Sequence, residues 1–175
     1  MRDVAFPEIP SDEFAQRKDR AIKLMAEHGL DGLLLFNPMN MNYYSGFRKT
    51  WTLQWMHCCV FSRHGQMSLI IPQIMHEFCR ESTWLEDEWI RPFGGAPHWG
   101  LPQDPVATVI EIITDMGLSE KTIGIQTGVP HTFMLVALSE FDAIRNALPK
   151  ATFKDAVDMI WEQRMIKSPW EQDIM

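Results

Sequence analysis

Residues 30–36 read Leu-Asp-Gly-Leu-Leu-Leu-Phe, an apolar run preceded by Gly29 and closed by Asn37-Pro38. It is too short for a helix and does not alternate apolar with polar residues. Such a run fits a strand covered on both faces, inside a parallel or mixed sheet. A strand of that kind needs helices on either side of it, and the flanking sequence supplies them. Ser11 is expected to cap a helix with an acidic first turn (Asp12, Glu13). Phe14, Ala21, Ile22, Met25 and Ala26 would form its apolar stripe, Arg17, Lys18, Asp19 and Arg20 its wet face, and Gly29 its end.

The same reading continues along the chain. Residues 37–46 are rich in Asn, Pro and Gly and predict a turn or short helix leaving the strand. Residues 56–63 and 66–71, joined at His64-Gly65, predict a β-hairpin. Pro72 should open a helix with Ile74, Met75, Phe78 and Cys79 inward, and residues 89–91 a short strand. Residues 94–105 are a loop. A helix from Asp104-Pro105 to Gly117, a strand at 122–125, a helix from Pro130 to Ala147 and a strand at 152–154 follow. The alternation predicts an α/β fold, a three-layer sandwich with a mixed sheet of about six strands flanked by helices.

The chain closes on Arg164-Met-Ile-Lys-Ser-Pro-Trp-Glu171 and four further residues. A helical pattern from Ala156 through Met159 and Ile160 pauses at Lys167-Ser168. Ser168, Pro169 and Glu171 then carry the signature of a capping box. Either a short terminal helix packs on the core, or a further element is opening. The second reading makes residues 1–157 one domain and 158–175 a linker helix with the start of another.

Composition narrows the function. The formal net charge is −7, and no basic block or stripe is present. A nucleic-acid or anionic-membrane surface is therefore not expected. No apolar run reaches the ~20 residues that span a bilayer, and the first residues lack an apolar signal core. Three cysteines, Cys58, Cys59 and Cys79, are an odd number with two adjacent, which reads as buried reduced thiols and a cytoplasmic setting. The six histidines are scattered. His76-Glu77 does not continue to a second His, so no zinc helix is present. No phosphate-binding glycine loop, nucleophile elbow or Ser/His/Asp order is readable.

Two stretches resemble one known family. Gly29-Leu-Asp-Gly-Leu-Leu-Leu-Phe-Asn-Pro-Met-Asn-Met-Asn-Tyr-Tyr-Ser-Gly46 is similar to the amino-terminal domain of the creatinase/prolidase/aminopeptidase P (pita-bread hydrolase) superfamily, and Arg164-Met-Ile-Lys-Ser-Pro-Trp-Glu171 to the hinge before its catalytic domain. The resemblance implies a six-stranded mixed sheet, a homodimer, and an amino-terminal domain that shapes the partner subunit's active site without being catalytic. It also implies two divalent ions (Mn, Co or Zn) in a carboxy-terminal domain that follows, held by two Asp, one His and two Glu. The metal site in these 175 residues is expected to be none. The loop after Gly46 supplies the substrate-binding and cross-subunit candidates Phe47, Arg48, Trp51, Trp55 and His57. Arg48 could pair with a substrate carboxylate and Trp51 could wall an apolar subsite. Residues 94–100, with His98 and Trp99, are a second candidate loop.

An Xaa-Pro peptidase is the expected parent activity. Asn42-Tyr-Tyr-Ser-Gly46 also resembles the creatinase version of the motif, although Leu53-Gln54-Trp55 replaces that enzyme's aromatic–arginine pair. Leu53-Gln-Trp-Met-His57 is similar to dimethylsulfoniopropionate lyases and ectoine-type hydrolases of the superfamily. A stand-alone module that binds a small molecule or partner through residues 47–57 is the alternative from a different class.

Overall fold

The computed structural model describes residues 9–48, 55–127 and 134–175. Six strands form one sheet in the order β4-β3-β2-β1-β5-β6. They are β1 (Gly32–Leu35), β2 (Cys58–Ser62), β3 (Met67–Pro72), β4 (Ile90–Phe93), β5 (Thr122–Ile125) and β6 (Thr152–Asp155). The strand β1 pairs antiparallel with β2 and parallel with β5, so the sheet is mixed. The hairpin β2–β3 is antiparallel, while β3–β4 and β5–β6 are parallel. The uninterrupted apolar run therefore does sit at the sheet centre, with all four β1 residues buried.

Seven α-helices are present among the described residues: α1 (Ser11–Glu27), α2 (Pro38–Ser45), α3 (His76–Ser82), α4 (Pro105–Asp115), α5 (Leu138–Ala147), α6 (Val157–Met165) and α7 (Pro169–Asp173). They cover the sheet on both sides and make two separate cores. One joins α1, α2, α3 and α6 to Leu33, Leu35, Cys59, Phe61, Leu69 and Ile71. The other joins α4 and α5 to Leu34, Cys58, Val60, Ile70, Ile123 and Ile125. Adjacent residues of one strand thus serve opposite layers, as the period of two requires. Cys58 and Cys59 go to different cores, and all three thiols are free and buried. At Gly124 the layers meet closely: an added Cβ would stand 2.8 Å from Leu30 Cδ1 and 2.9 Å from Ala156 Cβ.

Several local expectations need correction. Ser11 is the first residue of α1 rather than its cap, and Pro10 holds the cap position without a side-chain bond. Arg17 does not face water: it is 6% exposed, because buried carboxylate and carbonyl partners surround it. Ala26, placed in the stripe, is exposed. Pro72 ends β3, and Ile74 and Phe78 point outward while Met75 and Cys79 pack inward. The reason is a 3-10 turn at Gln73–Met75, which shifts the helical phase before α3 begins. The helix expected from Pro130 to Ala147 is described as α5 from Leu138; residues 134–137 are not helical, and residues 128–133 lie outside the described ones.

Candidate functional site

Five strands, β1, β3, β4, β5 and β6, run in one direction and β2 runs against them. Their carboxyl ends therefore share one edge with the amino end of β2. Ligand sites in open α/β sheets gather at such an edge. Both candidate loops lead to it: residues 47–57 enter β2, and residues 94–100 leave β4.

The first loop is anchored by the turn before it. Asn37 caps α2 by accepting hydrogen bonds from the Met39 and Asn40 amides at 2.9 and 3.2 Å. At the other end, Ser45 Oγ donates to the Met41 carbonyl at 2.7 Å and accepts from the Phe47 amide at 3.2 Å. Gly46 closes the helix at φ +77°, where an added Cβ would meet Phe14 Cζ at 2.9 Å and the Ser82 carbonyl at 3.1 Å. Glycine is thus required twice over, by backbone conformation and by space.

Beyond Gly46 the candidates separate. Phe47 and His57 are both fully buried and their rings stack 6.2 Å apart. They fill the core beneath the loop. His57 Nδ1 lies 2.8 Å from the Trp55 carbonyl, which can only accept, so Nδ1 carries the hydrogen. Arg48 is exposed and lines an open cleft of about 570 Å³ with Ser11, Phe14, Phe78 and Trp84. Trp51 lies outside the described residues, as do Leu53 and Gln54.

Trp55 and Trp99 come together. Both line an apolar cleft of about 470 Å³ with Pro72, Ile74, Phe93 and Gly95. Trp55 is 44% exposed, Trp99 56% and Ile74 74%. The Trp99 ring rests against Gly95, where a Cβ would fall 2.6 Å from it. His98 packs edge-on against Trp99 at 5.9 Å. Two loops that are distant in sequence therefore present one exposed aromatic surface.

A polar clip has no counterpart in the sequence reading. Arg17 donates from Nε to Glu13 at 2.8 Å, from Nη1 to the Tyr43 carbonyl at 3.1 Å and from Nη2 to Glu171 at 3.1 Å. Its guanidinium also lies 4.2 Å from the centre of the Tyr43 ring. The Tyr44 hydroxyl donates to Gln163 at 2.9 Å, and Gln163 Nε2 donates to the Arg17 carbonyl at 2.8 Å. Arg164 donates to Asn40 at 2.6 Å. The predicted capping box is present: the Glu171 amide donates to Ser168 Oγ at 3.1 Å and the Ser168 amide to Glu171 Oε2 at 3.0 Å. The two stretches that carry the family resemblance, around residues 37–46 and 164–171, thus touch each other and α1. Nothing in the local pattern of α1 announces this, since the partners lie up to 154 positions away.

Among the described residues no three His, Cys, Asp or Glu side chains gather as a metal-ligand set, so these residues do not fit a two-metal centre. Burial raises the pKa of all three thiols, that of Cys79 to about 12, which keeps them neutral and unreactive. Burial likewise raises the pKa of the Tyr44 phenol. Among the described residues no helix is long and apolar enough to cross a membrane.

The sequence profile of the Creatinase/Prolidase N-terminal domain matches residues 17–166. An uncharacterised hydrolase/peptidase of Sinorhizobium fredii is 26% identical over 91% of the chain and 40% of its own length. The ectoine hydrolase of Halomonas elongata is 22% identical over 100% of the chain and 43% of its own length. Among solved structures, a dipeptidase from Pyrococcus horikoshii superposes with TM-score 0.69 at 22% identity, over 88% of this chain and 38% of that one. An Xaa-Pro aminopeptidase from Streptococcus thermophilus superposes with TM-score 0.62 at 17% identity, over 87% of this chain and 98% of that one. At these identities the structures establish the fold. The chain spans about 40% of the length of the curated relatives it matches.

Proposed function

The chain belongs to the Creatinase/Prolidase N-terminal domain family, and on that premise we propose that it is the non-catalytic amino-terminal domain of a metallohydrolase of Xaa-Pro peptidase type. In this reading residues 1–157 are that domain, and residues 158–175 are a linker helix and the opening of a catalytic domain. The domain dimerises, and Arg48, Trp51, Trp55 and Trp99 shape the partner subunit's active site. Two divalent ions belong to the catalytic domain. The observation that carries the proposal is the meeting of Trp55 and Trp99 on one exposed apolar cleft. Aromatic side chains left exposed together are the common anchors of interfaces and substrate walls.

A second reading rests on a specific finding, the alignment of the ectoine hydrolase across the whole chain. In it the parent cleaves a C–N bond of a small molecule such as ectoine or creatine. A paired assay separates the readings. The 175-residue chain and the product of the whole reading frame are each given Xaa-Pro dipeptides, ectoine and creatine, with Mn(II) or Co(II) added. Metal-dependent cleavage before proline, by the longer product only, supports the peptidase. Turnover of ectoine or creatine moves the parent to the second reading. Activity in the 175-residue chain itself overturns the non-catalytic assignment. For the cross-subunit role, a mixed dimer pairs an Arg48→Ala, Trp51→Ala subunit with a metal-ligand mutant; failure to regain one working site sinks it.

A further inference from the structure

The strands β1 and β5 are parallel neighbours whose onward connections leave in opposite directions, to β2 and to β6. This is the switch point of the sheet, where a crevice outside the carboxyl ends is expected. A cleft of about 250 Å³ lies there. It is lined by Asn37 and Gln126, just past β1 and β5, by Met39 and Asn40 of α2, and by Ile160, Trp161, Arg164 and Lys167 from α6 and the residue pair after it. It is a different place from the Trp55–Trp99 cleft and shares no residue with it.

Its chemistry is one-sided. The chain carries 23 acidic and 16 basic residues, yet two cations and no carboxylate line this cleft. Among the described residues neither Arg164 nor Lys167 pairs with a carboxylate. The Arg164 guanidinium spends one N–H on Asn40 Oδ1 at 2.6 Å, and the fork carries five. Lys167 Nζ bonds the Arg164 carbonyl. Asn40 Nδ2 donates to Gln126 Oε1, which turns that oxygen toward Asn40 and leaves the Gln126 NH₂ to other uses. Both amides are held still by burial, Asn40 at 1% and Gln126 at 5% exposure. What remains to a ligand is a set of donors: guanidinium, ammonium and amide. Beside them Trp161, 46% exposed, and Ile160 form an apolar wall.

We propose that this switch-point cleft binds a small organic oxyanion, a carboxylate or phosphate, whose apolar body lies against Trp161. A lining with two cations and no carboxylate suits an oxyanion, because each charged N–H gains a strong bond. Occupancy would also fasten α6 and the residues after it to α2 and the end of β5, since the cations and the wall belong to the first and the amide pair to the second.

The test is a titration of the 175-residue chain, followed by the side-chain amide signals of Asn40 and Gln126 and the Trp161 indole signal in NMR. Acetate, benzoate and inorganic phosphate are the probes, with sodium chloride at matched ionic strength as control. Saturable shifts of these three signals are expected, tighter for benzoate than for acetate because of the Trp161 wall. Saturation by phosphate alone, or by the carboxylates alone, supports the site and assigns its headgroup. Gln126→Glu keeps an acceptor for Asn40 and sets a negative charge against the ligand; Lys167→Met removes one cation. Each should weaken binding about tenfold or more. The proposal is overturned if no probe saturates, if chloride produces the same shifts, or if a variant with an unchanged backbone spectrum binds as tightly as the parent. Should Gln126→Glu fail to fold, Lys167→Met decides between the two outcomes by itself.

Discussion

Replacing Arg17 with Met is the sharpest probe of how this domain is held together. The guanidinium sits among Glu13, Glu171 and the Tyr43 carbonyl, with Glu13 only 4% exposed. Met keeps the length of the side chain and its packing against Phe14 and Tyr43, so lost volume contributes little. What is lost is the countercharge of a buried carboxylate, and removing one partner of such a pair costs about 3–5 kcal/mol. Glu171 is 15% exposed and can turn partly to water, which argues for the lower end, about 3 kcal/mol. In a chain of this size that lowers the melting temperature by about 6–12 °C. The assay is urea unfolding of the parent, of Arg17→Met, of Glu13→Leu and of the double variant. An apolar pair in place of the ionic one should be near neutral, so the double variant should recover most of the loss. A single-variant cost below about 1 kcal/mol, or a double variant as unstable as the sum of the singles, would refute the idea that Arg17 is needed because Glu13 is buried.

Four other outcomes follow from the geometry. Gly46→Ala should cost about 2–4 kcal/mol, combining left-handed backbone strain with the clash against Phe14, read as a lower urea midpoint with unchanged slope. The three thiols should resist a disulfide reagent in the native state at about pH 9, where a free thiol is about half ionised, and all should react once unfolded. By the same shift, Cys79 favours the neutral form in the fold: its contribution is full below its ordinary value of 9.0, declines above that and is gone past about 12, so stability should fall on the alkaline side. Trp99→Ala should lower kcat/KM or dimer affinity in the whole gene product while leaving the melting temperature of the 175-residue chain nearly unchanged; a large drop in that temperature would make Trp99 a packing residue instead.

Much of the architecture is legible in the sequence because it rests on local signals. The unalternating run of β1, the Gly65 turn of the hairpin and the Asp104-Pro105 start of α4 each carry their own chemistry, and each appears where expected. The family signature is legible too. What escapes are residues whose role is set by distant partners. Arg17 lies among charged neighbours on α1 and reads as solvated; its burial is decided by Tyr43 and Glu171. Phe47 and His57 read as loop residues, yet both lie buried beneath the surface. The helical pattern places Ile74 and Phe78 in a core that a 3-10 turn rotates them away from. For the candidate site, the two loops are visible as separate stretches. Their meeting at one edge depends on strand order, which no single stretch encodes.

The clip between α1 and α7 has a consequence in time. Arg17 and Glu171 are 154 residues apart, and a ribosome adds about 5–20 residues per second. The first helix therefore waits about 8–30 s for its last partner to be made. Throughout that interval Glu13 and Arg17 have only each other and Tyr43, and the face of α1 that α6 will cover is open to water. A nascent chain of this protein should accordingly stay vulnerable at α1 until residues 157–171 emerge, and those residues, although made well after α1, complete its packing.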